Sequence, residues 1–430
     1  MSIKTIRSDK PSFRRCSLCG QKEGMEVLHD FGRLPVAGYL ESSQELARNA
    51  PRYDLAIAIS RKTGLVQQAY DDGREILVEK VYANYQPTYS MSDRLASYMT
   101  SFIDHTVRLA AVSPGDYVLE IGSNDGQMLK LISNRGFHAI GFEPSSNLAE
   151  VALGQGFEVI KDYFGLESAR RFIGFHPQVR LVITRHTLEH AFDPLDFLRG
   201  IETVLAEDGV AAIEVPYIRL QMINGNFESM TFQHVSFFSV TSLKAALKMA
   251  GLEMADVIFV NMDGGAMVVF ARKARNASSG RIGNIESALL LERFYGLGQP
   301  EGYETCFRRM EFMRLSVKPY LNLLAQKGRT ILGYGAGGKG QALLNMLGLD
   351  NDEIHFVIDD VPGNAGKYIP GTGIEVIASS DSRAEHADAI LLTAPTHALE
   401  IMRKEAWRLA TGTCFLATVP DFHQVEVGNI

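Results

Sequence analysis

The sequence predicts an α/β protein built around parallel β-sheets, and two observations carry this prediction. From Asp116 onward, apolar segments of strand length alternate with segments of helical periodicity, an order typical of parallel strands covered by helices. Glycine-rich turns follow the first strand of two such series, in VLEIGSNDG (118–126) and LGYGAGGKG (332–340). We therefore expect two Rossmann-like units in tandem, in residues 81–275 and 290–430.

The segment before the first unit, residues 1–80, is predicted to form a small irregular module with short strands such as DLAIAIS (54–60). Residues 80–112 are predicted to be a helical lead-in, because apolar residues recur there at helical spacing. A polar linker rich in Ser and Gly is expected over residues 271–290, followed by helices over residues 291–328.

The first unit is predicted to alternate strands and helices, with each helix ending at a glycine or a polar turn. The strands are expected within DYVLEIG, FHAIGFEP, FEVIKDYF, VRLVITRHTLEH and VAAIEVPY, and the helices within MLKLISNRG, NLAEVALGQG and PLDFLRGIETVLAEDG.

The composition excludes several classes of protein. The chain is 46% hydrophobic and 22% charged, its net charge is −7, and no block of Lys and Arg indicates nucleic-acid binding. No apolar stretch reaches the ~18 residues of a membrane span, and the N-terminus lacks the apolar segment of a secretory signal. Four cysteines in 430 residues are too few for a secreted disulfide framework. We expect a cytoplasmic monomer or homodimer that acts on a small molecule rather than on nucleic acid or a membrane.

The first glycine loop indicates a nucleotide ligand other than NAD. Glu120, Gly122 and Gly126 follow the pattern E-x-G-x-N-x-G, in which glycines let the backbone approach a ligand at a helix start. The third glycine of the dinucleotide fingerprint is missing. Glu143, at the end of the next strand, is expected to accept hydrogen bonds from both hydroxyl groups of a ribose.

The turn after the third predicted strand offers groups for the base of such a nucleotide. Asp162 is expected to accept a hydrogen bond from an adenine amino group. Tyr163 or Phe164 is expected to lie against the face of the adenine ring.

These segments together resemble a known enzyme family. VLEIGSNDG, GFEPS, ITRHTLEH and EVPY resemble class I S-adenosylmethionine-dependent methyltransferases. CSLCG with HDFGRLPVAGYL, then FQHVSFFS, then GYGAGGKGQALLN with FVIDDVPGNAGKYIPGT resemble the zinc-binding module, central histidine segment and C-terminal domain of the sugar C-methyltransferase family. The resemblance covers nearly the whole chain and implies S-adenosylmethionine as the cofactor. The residues placed at the cofactor are Glu120, Gly122, Ser123, Asn124, Gly126, Glu143, Pro144, Asp162, Tyr163, Arg185 and His186, the last two through their main chain.

The central histidine is the predicted catalytic residue. His234 follows the fifth strand, where class I methyltransferases place their substrate. Methylation of a carbon next to a ketone requires loss of an acidic proton before the enolate attacks the sulfonium methyl group, and a neutral imidazole suits that step. The resemblance implies His234 as this base or its partner, with Gln233 beside it. The family has Tyr and Glu at the positions of Thr231 and Gln233, and glutamine cannot exchange a proton.

The cysteine pair of the N-terminal module raises the question of zinc. Cys16 and Cys19 form a C-x-x-C pair, which is half of a tetrahedral site, and the resemblance implies a second pair later in the module. Ser60 and Thr63 of ISRKTG occupy those later positions, and neither is a zinc ligand. We expect the module to fold through apolar contacts without zinc.

The second glycine loop, taken by itself, indicates NAD. Gly335-x-Gly337-x-x-Gly340 follows a strand, and the next strand ends in Asp359. The resemblance instead implies a degenerate Rossmann unit that helps to hold a nucleotide-linked sugar, with Lys339 near a phosphate. The residues implied in substrate binding are Tyr85, Tyr89, Gly264, Gly265, Tyr334, Gly335, Lys339 and Asp359.

The expected activity is C-methylation of a nucleotide-activated keto-deoxysugar, by base-assisted enolate formation and then methyl transfer. Two alternatives stay open. The chain could methylate carbon, oxygen or nitrogen of a different natural-product acceptor, or it could be a non-catalytic protein that binds NAD or another nucleotide at the second glycine loop.

Overall fold

The computed structural model of the protein describes residues 11–82, 93–276 and 282–425, and three β-sheets organise them. A four-stranded sheet belongs mainly to the N-terminal module, a seven-stranded sheet forms the centre, and a six-stranded sheet forms the C-terminal unit. The predicted α/β fold with two Rossmann-like units is confirmed. Among the described helices, none combines the length and the hydropathy needed to cross a membrane.

The sheet of the N-terminal module is completed by a strand from the middle of the chain. Strands β1 (Met25–Pro35), β2 (Arg52–Ser60) and β3 (Val66–Gln68) are antiparallel, and β3 pairs with Ser236–Phe237. The module also contains helices α1 (Gln44–Arg48) and α2 (Arg74–Ile76). Helix α2 continues as a π-helical turn over Leu77–Tyr82.

The central sheet has five parallel strands and a hairpin at one edge. In chain order its strands are β4 (Tyr117–Ile121), β5 (His138–Phe142), β6 (Glu158–Ile160), β7 (Val179–Arg185), β8 (Leu205–Pro216), β10 (Leu252–Val260) and β11 (Ala266–Lys273), with Ser236–Phe237 counted as β9. Their order in the sheet is β6-β5-β4-β7-β8-β11-β10, and β11 is antiparallel to both of its neighbours. Strands β5 and β6 lie on one side of β4, and β7 and β8 lie on the other, so the strand order reverses between β4 and β7. A ligand crevice is therefore expected at the carboxyl ends of these two strands.

The helices of the central unit cover both faces of this sheet. They are α3 (Asp93–Ala110), α4 (Gln127–Ser133), α5 (Ser146–Gly154), α6 (Leu166–Ile173), α7 (Pro194–Val204), α8 (Ile218–Asn224) and α9 (Val240–Met249). Asp193 caps α7 by accepting from the N–H groups of Leu195 and Asp196, both at 3.0 Å. Helix α6 and the β10–β11 hairpin are not among the predicted elements.

The predicted polar linker over 271–290 is shorter in the structure. Strand β11 runs to Lys273, and helix α10 (Ile282–Phe294) begins well before residue 290. Ile285 and Ala288 of α10 are buried in the core of the central unit. Helix α10 therefore spans the boundary predicted at residue 290.

The C-terminal unit is a second parallel sheet with one antiparallel edge strand. Its strands are β12 (Ile331–Tyr334), β13 (Phe356–Asp359), β14 (Glu375–Ala378), β15 (Ala389–Leu392), β16 (Cys414–Ala417) and β17 (His423–Gln424), in the order β14-β13-β12-β15-β16-β17. Its helices are α11 (Glu304–Gln326), α12 (Gly338–Leu347), α13 (Ala398–Lys404) and α14 (Trp407–Ala410). Ile57, Phe237, Met310 and Leu343 share one hydrophobic core, so all three units pack together.

Candidate active site

The first glycine loop joins the carboxyl end of β4 to α4 in a conformation that favours glycine. Gly122 and Gly126 have φ angles of +79° and +88°, in the left-handed region. A Cβ atom on Gly122 would lie 2.4 Å from Thr187 Oγ1. The N–H groups of Gly122 and Ser123 donate to the Phe142 carbonyl oxygen at 2.8 and 3.0 Å. The backbone of the loop therefore lies against the ends of both β4 and β5.

Glu143 lies beside this loop, and its carboxylate is buried. One oxygen accepts from the N–H of Asn124 at 2.9 Å, and the other accepts from the N–H of Ser145 at 2.8 Å. Burial raises the pKa of Glu143, and these two hydrogen bonds oppose the rise. Pro144 lies in the turn between Glu143 and Ser145 and restricts its backbone. Since a carboxylate has about four lone-pair sites, Glu143 retains acceptor capacity for hydroxyl groups of a ligand.

Two more polar groups at the loop have no hydrogen-bond partner among the residues that the structure describes. They are Oε2 of Glu120 and Oγ of Ser123, and both are buried. Burial raises the pKa of Glu120 well above its ordinary value, while Arg185 opposes the rise. A protonated carboxyl group and a hydroxyl group can both donate and accept. The residues at this loop therefore fit the polar groups of an adenosyl ligand.

Asp162 and Tyr163 follow β6 at the same edge of the sheet. Tyr163 is half exposed, and burial together with the charge of Glu143 raises the pKa of its hydroxyl group. The Asp162 carboxylate forms an ion pair with Arg171 of α6 and accepts from the N–H of Tyr163 at 2.8 Å. The structure thus brings Tyr163 near Glu143, whereas Arg171 already engages the carboxylate expected to contact adenine.

A buried charge network lies at the ends of β7 and β8. Arg185 Nε donates to Glu214 Oε2 at 2.6 Å, and His186 Nε2 lies 3.3 Å from Glu214 Oε1. His186 Nδ1 lies 3.4 Å from Glu189 Oε1. Burial disfavours the charged forms, but the opposite charges outweigh it, so that the pKa of Glu214 falls to about 2 and that of His186 rises to about 10. These groups are therefore ions at neutral pH.

This network adds side-chain roles to residues for which the sequence predicts main-chain contacts. Arg185 and His186 are predicted at the cofactor through their backbone, yet both side chains turn towards Glu214. The rings of Tyr98 and Phe102 lie 5.3 and 5.4 Å from the Arg185 guanidinium carbon. Glu214 and Tyr98 are absent from the predicted site, because one acidic residue in an apolar strand does not reveal its partner.

The central histidine belongs to a second cluster, which shares Glu189 with the network. The rings of His190 and His234 are 5.0 Å apart between centroids. His190 Nδ1 donates a hydrogen bond to the Gln233 carbonyl oxygen at 2.7 Å. Nδ1 of His234 and both oxygens of Glu189 are buried without a hydrogen-bond partner in the described ranges. Burial and the neighbouring His190 lower the pKa of His234 to about 3, so its imidazole is neutral at physiological pH.

Glu189, His190 and His234 are also residue types that ligate metals. Their ligand atoms all lie within 4.8 Å of one another. Two cations already face this cluster, because Lys339 interacts electrostatically with Glu189 and protonated His186 lies beside the same carboxylate. These charges would repel a divalent cation. We therefore interpret the cluster as an acid–base centre rather than a metal site.

The second glycine loop brings Lys339 to this centre. The Lys339 ammonium forms an ion pair with Asp263 in the β10–β11 turn; burial opposes its charge, but Asp263 raises the pKa of Lys339 above its ordinary value. Gln233 lies at the same junction. A Cβ atom on Gly38 would lie 2.4 Å from Gln233 Nε2, and one on Gly338 would lie 3.4 Å from Gln233 Oε1. All three units of the chain therefore meet around the segment that carries the central histidine.

The N-terminal module holds that segment through one amide group. Gln68 Nε2 is buried and lies 2.8–3.0 Å from three backbone carbonyl oxygens, those of Thr231, Phe232 and His234. The backbone on both sides of Gln233 is thereby fixed to the N-terminal sheet.

The predicted glycines of the substrate region form tight turns. Gly264 and Gly265 make the β10–β11 hairpin turn, with φ angles of +87° and +112°. The Gly264 carbonyl oxygen accepts from the amide groups of Asn224 and Asn226 at 3.0 and 3.1 Å. Gly335 has a φ of +109°, and a Cβ atom there would lie 2.6 Å from Ala394 Cβ. These turns therefore let backbone segments approach closely at the junction of the units.

Two predicted substrate residues make their contacts inside the C-terminal unit instead. Tyr334 is buried, and its hydroxyl oxygen lies 3.1 Å from Asp360 Oδ1 and 3.2 Å from Glu405 Oε1. Asp359 accepts from the N–H of Ala336 at 2.7 Å. The Tyr334 side chain thus leaves its strand on the side away from the central unit, and the substrate contact predicted for it lacks support.

Two further predicted substrate residues, Tyr85 and Tyr89, lie outside the described residues.

Glu228 is a buried carboxyl group that the sequence does not single out. It lies in the turn Phe227–Ser229, and neither of its oxygens has a hydrogen-bond partner in the part of the chain that is described. Burial raises the pKa of Glu228 to about 7, with Lys339 opposing the rise and Asp263 adding to it. A lone Glu in a mixed segment carries no sequence signal of such burial.

We expect Glu228→Gln to change the pH dependence of stability. The folded-state pKa of about 7 exceeds the ordinary value of 4.5, so this proton stabilises the wild type below pH 4.5 and that stabilisation is lost as pH rises through 7. The shift corresponds to about 3 kcal/mol of unfolding free energy. Urea denaturation at about pH 5 and about pH 8.5 should show the variant gaining on the wild type at the higher pH. An equal difference at both pH values would contradict the assignment.

The cysteine pair of the N-terminal module does not fit a tetrahedral zinc site. Cys16 and Cys19 are free thiols, and Cys16 Sγ lies 3.4 Å from the Thr63 hydroxyl oxygen. Ser60 and Thr63 face this pair with hydroxyl groups, which are not zinc ligands. Only two thiols are therefore present where four ligands are needed.

The seven-stranded sheet, its glycine loop and the buried acid after β5 define a class I methyltransferase, and sequence comparison gives the family. Residues 95–257 match a profile described as a methyltransferase domain, and residues 261–420 match one described as a C-methyltransferase C-terminal domain. C-methyltransferase NovU of Streptomyces niveus is 30% identical over 406 residues, which cover 94% of this chain and 95% of NovU. The chain therefore belongs to the S-adenosylmethionine-dependent C-methyltransferase family. The predicted family, activity class and cofactor are confirmed.

Two solved structures that are similar to part of the chain serve as examples. One is an S-adenosylmethionine-dependent methyltransferase from Clostridium acetobutylicum, with 11% identity and a TM-score of 0.33, covering 41% of this chain and 91% of that one. Another is the CcbJ methyltransferase from Streptomyces caelestis, with 14% identity and a TM-score of 0.32, covering 40% of this chain and 88% of that one.

Proposed function

We propose that the chain transfers a methyl group to a carbon next to the keto group of a nucleotide-activated deoxysugar. The observation that carries this proposal is the buried His234, whose Nδ1 has no hydrogen-bond partner among the described residues and which lies where the three units meet. A methyl acceptor with an acidic C–H bond needs such a base, whereas an oxygen or nitrogen acceptor already has a lone pair. The second Rossmann-like unit supports a nucleotide-linked acceptor, with Lys339 near its phosphates.

The proposed cofactor site lies across the ends of β4 and β5. Glu143 would accept hydrogen bonds from the ribose hydroxyl groups, and Tyr163 would contact the adenine. The backbone of the loop from Gly122 to Gly126, with Ser123 and Asn124, lines the remainder of the site. S-adenosylmethionine supplies an electrophilic methyl group, so the chain needs mainly to align the acceptor carbon with it.

The proposed mechanism uses the central cluster as a base. His234 takes the proton from the acceptor carbon, and the resulting imidazolium lies beside the ionised Glu189, which stabilises it. His190 is held in one orientation by its bond to the Gln233 carbonyl oxygen. Gln233 positions this backbone and exchanges no proton.

Incubation of the purified chain with S-adenosylmethionine and a panel of nucleotide-linked keto-deoxysugars tests the proposal. We expect one added methyl group on a carbon adjacent to the ketone, located by NMR of the product. Methylation confined to oxygen or nitrogen acceptors would contradict it and favour the alternative acceptor, to which the replacement of two family residues by Thr231 and Gln233 points.

Glu143→Gln should weaken binding of S-adenosylhomocysteine. The amide keeps one acceptor oxygen but loses the charge that strengthens hydrogen bonds to the ribose, a loss of about 1–3 kcal/mol or roughly 5- to 150-fold in Kd. Isothermal titration calorimetry measures this change. Glu150→Gln, an exposed residue of α5 paired with Lys161, is the matched control and should bind as the wild type does. An unchanged affinity of the Glu143 variant would refute its ribose role.

A further inference from the structure

We propose that Glu228 is a second catalytic residue, which donates a hydrogen bond to the keto oxygen of the acceptor while His234 removes the neighbouring proton. This inference rests on the proposed function and adds a residue to it.

The first argument is that Glu228 has no structural task that explains its burial. Its side chain is 1% exposed, and both carboxyl oxygens lack a hydrogen-bond partner across the described residues. An unsatisfied buried carboxyl group destabilises a fold. Glu292, another buried glutamate, is satisfied by contrast: it accepts from the Tyr217 hydroxyl at 2.9 Å and the Val240 N–H at 2.6 Å. Glu228 thus resembles a group that is kept for a ligand.

The second argument is its position at the meeting point of the units. The turn Phe227–Ser229 packs against α12, the helix that begins at the second glycine loop. The charges that act on Glu228 are those of Lys339 and Asp263, and the same two residues act on His234. The charges of one ion pair, Lys339 with Asp263, therefore act on both Glu228 and His234. An acceptor held beside Lys339 would lie within the field of both.

The chemistry requires a donor on the oxygen side. When His234 takes the proton, the C–H electron pair forms the enolate double bond and negative charge develops on the keto oxygen. A protonated Glu228 stabilises that charge by donating its hydrogen bond, since a carboxyl group kept neutral in an apolar site is an effective donor. S-adenosylmethionine, when bound, would supply its methyl group to the enolate carbon and leave as S-adenosylhomocysteine. The ketone would re-form, and His234 would release its proton to solvent.

Three variants of the full chain test this role. Glu228→Leu removes the carboxyl donor, whose oxygens have no hydrogen-bond partner among the described residues. We expect kcat to fall by about 10²–10³-fold with KM little changed. Glu228→Gln keeps an N–H donor and should show an intermediate kcat. Glu353→Gln changes a buried glutamate of the C-terminal unit that pairs with Lys318, and it should be as active as the wild type.

Two further measurements separate catalysis from folding. In D2O with S-adenosylhomocysteine in place of the methyl donor, the wild type should exchange the acidic proton of the keto sugar, and Glu228→Leu should exchange it much more slowly. The wild-type kcat should decline as pH rises and Glu228 ionises, and this decline should be absent from Glu228→Gln. A Glu228→Leu variant with wild-type kcat and exchange would overturn this inference alone. A wild type inert towards every keto sugar would overturn the proposed function and this inference with it.

A separate set of contacts in the N-terminal module carries a second inference. We infer that residues 16–21 and 60–65 form two turns with the same backbone geometry as a pair of metal-binding turns. Hydrogen bonds within and between the turns take the place of a metal ion. In each turn the N–H group of the fifth residue donates to the carbonyl oxygen of the first residue and closes the loop. Gly20 N donates to Cys16 O and Gly64 N donates to Ser60 O, both at 2.8 Å.

The match extends to the next residue of each turn. Cys16 N donates to Gln21 O and Ser60 N donates to Leu65 O, both at 2.9 Å. Gly20 and Gly64 have φ angles of +70° and +67°. The two turns face each other through the contact of Cys16 Sγ with Thr63 Oγ1 at 3.4 Å.

Restoring two thiols tests this inference. The purified wild type should contain no stoichiometric zinc by atomic emission spectroscopy, and its melting temperature should not change with EDTA. The double variant Ser60→Cys/Thr63→Cys should bind one Zn²⁺ per chain, with the Co²⁺ spectrum of a tetrahedral thiolate site. The same change combined with Cys16→Ser should lose that spectrum. Zinc retained by the wild type, or a folded double variant without zinc, would overturn it.

Discussion

Replacing His234 by alanine should lower kcat by about 10²–10⁴-fold, the usual contribution of a positioned general base. The imidazole is buried and neutral, and its Nδ1 makes no hydrogen bond within the described part of the chain. Its loss therefore removes the proposed base without breaking a network that supports the fold. The affinity for S-adenosylhomocysteine should stay within twofold, because the proposed cofactor site lies at β4 and β5.

Two controls make this result specific. His386→Ala removes an exposed histidine of the C-terminal unit and should leave kcat unchanged. Imidazole added to His234→Ala should restore part of the rate by entering the space left by the side chain. Wild-type turnover in the variant would rule out His234 as the base.

Arg185→Met should lower the free energy of unfolding by about 3–5 kcal/mol, the effect of breaking a buried ion pair from one side. Glu214 is fully buried and keeps its charge largely because of Arg185 and His186. Without the guanidinium, only His186 remains to balance that carboxylate. Urea denaturation of the variant and the wild type measures the difference.

The same change at the surface provides the comparison. Arg314→Met breaks the exposed pair with Glu311, and we expect at most about 1 kcal/mol. The double variant Arg185→Met/Glu214→Gln should regain part of the loss, because no unpaired buried carboxylate remains. A loss at Arg185 as small as that at Arg314 would show that the network does not hold these groups as buried ions.

Local patterns explain which elements could be predicted. Each of the five parallel strands of the central sheet overlaps the apolar segment predicted for it. Strands β6 and β7 end before their segments do, and β8 begins at Leu205, inside a segment predicted to be helical. The glycine loop after β4 and the acid after β5 follow from fixed offsets along one strand–helix unit. The predicted linker includes the start of helix α10, because the polar residues there give no sign that Ile285 and Ala288 are buried.

Contacts between distant segments explain what could not be predicted. The pairing of Lys339 with Asp263 joins two units, and no local pattern links the second glycine loop to the β10–β11 turn. Strand Ser236–Phe237 is too short to be recognised alone and exists because β3 offers it an edge. Glu228 and Glu214 acquire their altered pKa values only from burial and partners in the folded chain.

A crystal structure of the chain with S-adenosylhomocysteine would show whether the cofactor lies at the first glycine loop. We expect the adenosyl group across the carboxyl ends of β4 and β5, both ribose hydroxyl groups within hydrogen-bond distance of Glu143, and the sulfur facing His234. A ligand bound instead at the second glycine loop, or a ribose held by other residues with His234 turned away from the sulfur, would contradict it.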